Sequence, residues 1–360
     1  MKNTFGQSVA LTLFGESHGD HIGAVLDGLA PGLAIDEAFI RHQLSLRRPQ
    51  GKISTARVEA DEFRIISGVF EGKTTGTPLC ILIPNTNTRS GDYTPNIPRP
   101  GHADYTAECK YHGYQDPRGG GHFSGRLTAP LVAAGAIAIS ALRQKGILIG
   151  THISRVSDIC DRSFDSYESD IETLADLSFP VLDSEKADVM RTCIEDAAKD
   201  GDSVGGVLET AVIGLPAGIG EPWFDSVESL LSHALFSIPA IKGVEFGAGF
   251  AFSEMRGSQA NDAFGIENNH IFTKTNHNGG INGGITNGMP VLFRCAVKPT
   301  PSIFQEQQSV DMKEMKNVSL TLSGRHDPAI IHRARVVVDS ITALVLCDLL
   351  ALRFGTDFLK

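Results

Sequence analysis

Two stretches of this chain are too apolar to lie on a surface when wound into a helix, and they constrain everything around them. Thr128–Gln144 carries alanine at positions 129, 133, 134, 136 and 138, small side chains that let a neighbouring element approach the helix axis closely. Ala329–Phe354 is longer, and its most apolar part, Ile341–Leu352, is interrupted by a single charge, Asp348. Helices of this kind belong in an interior. With 360 residues the chain is long enough to build one. No linker divides it, so the pattern predicts one α/β domain over residues 1–360, with sheets and helices in layers.

The remaining pattern supplies those layers. Val9–Phe14, Ala24–Leu26, Val58–Phe70 and Leu79–Ile83 read as strands, and Asp36 is placed to cap a helix ending near Leu46. From Asn85 to Gly125 the periodicity dissolves into residues rich in Gly, Pro, His and Arg. So long an irregular segment inside a compact domain is either functional or disordered, and the lack of a low-complexity repeat favours function. A second half opens near Val204. There Gly214-Leu215-Pro216-Ala217-Gly218 echoes Gly28-Leu29-Ala30-Pro31-Gly32, each ahead of an amphipathic helix (Asp36–Leu46 and Val227–Phe236). An arginine also precedes each long helix, Arg126 and Arg325. These echoes fit an internal duplication of a sheet-plus-helix unit, and equally two unrelated turns using the same Gly/Pro chemistry. The acidic segment Asp158–Asp202 reads as a peripheral helical insertion.

A formal charge of −10 argues against a general nucleic-acid binder, which needs a broad basic surface. It leaves room for a small anion, because a local arginine cluster can sit inside an acidic protein. Cys80, Cys109, Cys160, Cys193, Cys295 and Cys347 show neither a CxxC nor a metal-ligand spacing. Reduced thiols in a cytoplasmic protein are the better reading than a disulfide framework. The apolar run Ser8–Phe14 is too short to span a membrane and lacks a signal-peptide cleavage site.

Several motifs fail on inspection. Gly68–Thr74 resembles a phosphate-binding P-loop but has three residues between its glycines where four are needed. No GxGxxG follows a strand. His18, His21, His102, His112 and His122 fall at no ligand interval, so no metal is expected. What remains is arginine and histidine set in glycine-rich loops: Ser17-His18-Gly19, Arg47-Arg48, Arg99-Pro100-Gly101-His102, Arg118-Gly119-Gly120-Gly121, Ser124-Gly125-Arg126 and Arg325-His326-Asp327-Pro328. Guanidinium forks match phosphate and carboxylate, and glycine lets backbone N–H groups approach an anion. Six such loops together point to a polyanionic ligand with histidines placed for proton transfer.

Three of these segments, extended, resemble chorismate synthase signatures: Gly15–Gly19 through Asp27–Gly32, Gly120–Arg126 through Ala133–Ile137, and Gly324–Pro328. Ser67–Gly72, Arg99–Asp104 and Lys298–Thr300 also look like family segments, in the family's order and over nearly the whole chain. The resemblance implies a β-α-β-α sandwich, a homotetramer and reduced FMN. It implies a lyase that eliminates phosphate from 5-enolpyruvylshikimate 3-phosphate to give chorismate, in the shikimate pathway, without net redox change. Reduced flavin would lend electron density as the C–O bond breaks and regain it, its N5 taking the proton.

By position, the resemblance implies that His18, beside Ser17, assists departure of the phosphate, that His102 lies near the flavin, and that Asp327 relays the proton. Arg48, Arg99, Arg126 and Arg325 would hold substrate anions. FMN would be bound by His122, Phe123 and Ser124, by Pro239 and Ala240, by Gly283, by Lys298, Pro299, Thr300, Pro301 and Ser302, and by Arg325. Arg48 and Lys52 would mark an NADPH site, Lys52 standing where arginine is common. Over His122–Thr128 the family usually reads Arg-Ser-Ser-Ala-Arg-Glu-Thr, and Ser124, Arg126 and Thr128 match it. Flavin would be reduced by NADPH or by an external flavin reductase. No nucleic-acid or membrane partner is expected. Two other readings of the same arginine cluster are a flavin-independent phosphate lyase or transferase and a non-catalytic polyanion-binding protein.

Overall fold

Alternate burial marks the strands. Leu79, Ile81 and Ile83 are buried while Cys80 and Leu82 between them are only half-buried, and Val291, Phe293, Cys295 and Val297 repeat the pattern. One face of each strand is thus committed to an interior. The computed structural model describes residues 2–49, 51, 53–54, 59–86, 96–324 and 326–360. Val58, Lys52 and Arg325, named above, lie outside the described residues. Strands β1 (Thr4–Phe5), β2 (Ala10–Gly15), β3 (His21–Asp27), β4 (Arg64–Ser67) and β5 (Leu79–Pro84) form one antiparallel sheet in the order β1-β2-β3-β5-β4. Strands β6 (Leu148–Val156), β7 (Ile159–Cys160), β8 (Gly206–Ile213), β9 (Ile241–Phe246) and β10 (Val291–Val297) form a second, in the order β7-β6-β8-β10-β9.

The α-helices among the described residues are α1 (Glu37–Arg47), α2 (Asp104–Tyr111), α3 (Thr128–Gln144), α4 (Tyr167–Leu174), α5 (Ser184–Lys199), α6 (Val227–Leu235), α7 (Gly257–Ala260) and α8 (Ile331–Phe354). The two apolar segments become α3 and α8, packed on each other between the sheets. They cross at Gly135. A Cβ there would stand 2.2 Å from Ser340 Cβ, so glycine is what lets the axes come this near. Asp348, the charge inside α8, is buried and takes the N–H groups of Gln7 (3.0 Å), Ser8 (2.7 Å) and Val9 (2.9 Å). Asp36 caps α1 through the Phe39 N–H at 2.9 Å, an interaction worth about 1 kcal/mol.

The second sheet is covered on both faces. Thr151 of β6 and Thr210 of β8 share a hydrogen bond (2.7 Å), and the Thr151 hydroxyl donates to Asp339 of α8 (2.6 Å). The adjacent Gly150 faces the other way, against Ile171 of α4. The layers therefore run sheet, helices, sheet, helix, the β-α-β-α sandwich expected.

The two halves repeat one design. In the first, the Thr74 hydroxyl donates to Ala30 O (2.6 Å) and accepts from Leu33 N (2.9 Å). In the second, the Thr286 hydroxyl donates to Pro216 O (2.7 Å) and accepts from Ile219 N (2.9 Å). Gly28, Gly32, Gly214 and Gly218 all have positive φ. Four strands of each sheet also follow one order, β2-β3-β5-β4 in the first and β6-β8-β10-β9 in the second, while the short edge strand precedes its partner in the first sheet (β1) and follows it in the second (β7). Turn chemistry alone accounts for the glycines but not for the matching threonine bonds and four-strand order, so the duplication reading is the one the structure favours.

Two expectations need correction. The strand predicted over Val58–Phe70 begins only at Arg64, because Asp61 adopts φ 51, which no strand residue can. The irregular segment Asn85–Gly125 contains α2 and a 3₁₀ stretch at Arg118–Phe123. Helix α2 escaped notice because it buries only Ala107 and so has no apolar stripe. Between Asp158 and Asp202, α4 and α5 supply the expected helices.

Candidate active site

Three glycines in a row organise the site. Gly119, Gly120 and Gly121 have φ of 60°, 83° and 53°, a run that residues with side chains would not adopt. A Cβ on Gly119 would lie 2.2 Å from His18 Cε1 and 2.9 Å from Ser17 Oγ. A Cβ on Gly120 would lie 3.3 Å from His102 Cε1. Two histidines more than 80 residues apart in sequence thus rest on neighbouring glycines. The Ser17 N–H donates to Gly121 O (3.0 Å) and His122 Nδ1 contacts Gly15 O (2.8 Å), which fixes the glycine loop to the end of β2.

His102 is held from behind. Its Nδ1 is 2.7 Å from Asp104 Oδ1 and 3.0 Å from Arg99 Nη2, which fixes the ring and leaves Nε2 on the Gly120 side. The Arg99 fork closes on the same carboxylate, Nε to Oδ2 at 2.7 Å and Nη2 to Oδ1 at 2.8 Å. Burial alone would raise the Asp104 carboxyl, but hydrogen bonds from Arg99 and His102 outweigh it and hold it well below the usual carboxylate range. Arg99, expected to hold substrate, is engaged with Asp104.

A second cluster gathers arginines. Asp61, fully buried, receives Arg47 Nη2 at 2.9 Å on one oxygen and Arg126 Nη1 on the other. Burial would raise this carboxyl, yet the two guanidiniums keep it below its ordinary value. Losing one partner from such a buried group costs about 3–5 kcal/mol. Arg126 also donates to Asn85 Oδ1 (3.0 Å) and Pro84 O (3.2 Å). Arg48 Nε lies 3.8 Å from Asp61. Arg333, which the sequence reading missed, reaches from α8 to Arg47 O (2.9 Å) and pairs with Asp327 (2.8 Å).

Both clusters border a cavity of about 1070 Å³. Arg48, His102, Arg126 and Asp327 line it, joined by Arg47 and Arg333. So do His122, Phe123, Ser124, Pro239, Ala240, Lys298, Thr300, Pro301 and Ser302, all expected at a cofactor. Pro299 stands between two lining residues, and His18 and Ser17 lie behind Gly119, which itself lines the cavity. Gly283 does not line it. That residue sits in the turn between Ile281–Asn282 and Ile285–Thr286, beside the N-terminus of α6, whereas the cavity meets the other end of that helix. Ala240 has φ 76, and its carbonyl accepts the Lys298 N–H at 2.9 Å. Such strain at a cavity wall accompanies functional sites. No cluster suited to a metal ion occurs among the described residues. The missed residues Asp61, Asp104 and Arg333 carried no local signal, since each acts through partners distant in sequence or, for Asp104, through a loop contact.

The family model described as chorismate synthase matches residues 9–351. A chorismate synthase of Thermococcus gammatolerans is 46% identical over 346 residues, covering 95% of this chain and 96% of its own. One of Dehalococcoides mccartyi is 46% identical over 361 residues, covering 99% and 98%. A crystal structure of chorismate synthase superposes with a TM-score of 0.77 at 30% identity, covering 98% of this chain and 94% of that one.

Proposed function

The chain belongs to the chorismate synthase family, and from that premise we propose how its cavity removes phosphate from 5-enolpyruvylshikimate 3-phosphate to leave chorismate. The reaction breaks a C–O bond to phosphate, takes a proton from a ring carbon and forms a second ring double bond. Oxidation state does not change. The observation that carries the proposal is the juxtaposition of His18 and His102 on consecutive glycines at a cavity bordered by Arg47, Arg48, Arg126 and Arg333.

Arg48 and Arg126, with Arg325, bind the substrate's two carboxylates and phosphate, and cationic forks suit all three groups. His18, with Ser17 beside it, protonates the departing phosphate oxygen. Asp327, paired with the Arg333 guanidinium, relays the ring proton as it leaves the site. His102, oriented by Asp104, stands at the cavity wall. Arg99 serves the substrate through Asp104 and His102.

Reduced FMN fits the residues present. The Thr300 hydroxyl is buried without a hydrogen-bond partner among the described residues, and the glycine run leaves no side chain between the cavity and the histidines. The cavity lies at the upper end of the ~300–1,000 Å³ usual for ligand sites, large enough for a flavin. His122, Phe123, Ser124, Pro239, Ala240 and Lys298–Ser302 would hold it. Bound there, it supplies transient electron density and a basic nitrogen for the elimination. NADPH, contacting Arg48 and Lys52, is the proposed reductant, with an external reductase as the other source. A homotetramer is supported by the exposed apolar side chains Trp223, Phe224, Phe250, Phe264, Ile266 and Ile271. A cytoplasmic location is supported by six free cysteines.

The test is phosphate release under nitrogen with reduced FMN, and separately with oxidised FMN plus NADPH. Product in large excess over flavin is expected in the first. Product limited to one equivalent, or equal activity without flavin, refutes the cofactor assignment. Activity in the second arm assigns NADPH, and its absence assigns the external reductase.

A further inference from the structure

We propose that Asp61 is a positioning residue for the substrate's anionic groups, gripping one edge each of Arg47 and Arg126 so that their remaining N–H groups serve the cavity. The inference rests on the reading of the cavity given above. Asp61 is inaccessible, and its two oxygens are divided between the two guanidiniums. Its left-handed backbone interrupts what the sequence predicts as a strand, and the interruption brings the carboxylate to the arginines.

Counting donors shows what is left. Arginine has five N–H groups. Arg126 commits Nε to Asn85, Nη1 to Asp61 and Nη2 to Pro84 O, so two remain. Arg47 gives Nη1 to Thr128 (3.4 Å) and Nη2 to Asp61, while its Nε is buried with no hydrogen-bond partner among the described residues. Arg48 Nε is in the same condition. Neither Nε is open to the cavity, so the donors left for an anion are the two uncommitted N–H groups of Arg126 and the two on the Nη atoms of Arg47. Arg47, Arg48 and Arg126 carry three positive charges against Asp61 and Glu59, so the cluster keeps one net positive charge for an anion.

Asp61→Asn keeps the side chain's size and a residue type that tolerates the left-handed backbone, and removes only the charge. Two readouts separate positioning from charge balance. Inorganic phosphate should raise the melting temperature of the variant at least as much as that of the wild type, because the cluster has gained net positive charge. Turnover with reduced FMN should nevertheless fall about 10- to 100-fold with KM changed only a few-fold, because anions are captured but not aligned. A folded variant with turnover within about twofold of wild type overturns the proposal, as does loss of the phosphate shift together with turnover. If Asp61→Asn does not fold, the charge-balanced pair Asp61→Asn with Arg47→Gln is compared with Arg47→Gln alone. The pair should be at least ~10-fold slower, and equal rates overturn the proposal by showing that Asp61 only neutralises Arg47. Wild-type protein that binds phosphate yet releases none from substrate would instead fault the functional reading.

Discussion

Gly119→Ala places a methyl group where a histidine ring now stands. The new Cβ would lie 2.2 Å from His18 Cε1 and 2.4 Å from Nδ1, closer than real Cβ atoms come to any neighbour. To reach an ordinary 3.4 Å contact, the ring must retreat by about 1.2 Å. A displacement of that order at a group that transfers a proton costs roughly 10²-fold in rate. Alanine at φ 60° also strains the backbone by roughly 1–2 kcal/mol. The two effects are separable with Gly72→Ala, which has φ 74° but meets nothing within 4 Å. Urea unfolding should show both variants losing roughly 1–2 kcal/mol. Anaerobic phosphate release should show only Gly119→Ala losing about 100-fold in kcat, with KM within a few-fold. Wild-type turnover in folded Gly119→Ala would refute the role given to His18, and an equal loss in Gly72→Ala would mean that stability alone sets the rate.

Asp104→Ala should lower kcat by roughly 10- to 100-fold, because His102 loses the acceptor that fixes its ring, and Asp104→Asn should recover part of the loss; steady-state kinetics of the two variants check this. His332 is buried against Phe179 and hydrogen-bonded to Ser54 (2.8 Å), and burial, then the Arg333 and Arg191 charges, push it down to about 3. Between about pH 6.5 and pH 3 the unfolded chain therefore binds a proton that the folded chain refuses, so acid destabilises the fold across that window, by several kcal/mol in all. His332→Gln should flatten that limb in urea unfolding measured from pH 7 to pH 4.

Periodicity revealed the interior and little of the site's wiring. The α3 segment was legible to the residue because side chains of one size and polarity recur along it. His102, Arg48, Arg126 and Asp327 stand out in the sequence as polar residues among glycines, and the chain brings these four to one cavity, with His18 behind Gly119 at its wall. The contacts of Asp61, Asp104 and Arg333 beside that cavity were not legible. A carboxylate's worth here depends on which guanidinium folds onto it, and Asp61 meets Arg126 across 65 positions of sequence. Arg99 shows the converse, since its sequence context suits an anion and the anion it meets is the protein's own Asp104. The duplication lay between, with five-residue turns too short to distinguish descent from turn chemistry until Thr74 and Thr286 made the same pair of hydrogen bonds.

The carboxylate of Asp348 gives the start of this chain an unusual exchange behaviour. Terminal segments ordinarily fray, and their amide hydrogens are lost to solvent within local openings that need little energy. The amides of Gln7, Ser8 and Val9 are instead anchored to a side chain near the end of α8, more than 330 positions away and itself packed on α3. They meet deuterium when this segment lifts from the carboxylate, and for Val9 that means withdrawing a buried side chain from the interior, so protection should rise from Gln7, which is exposed, to Val9, which is buried.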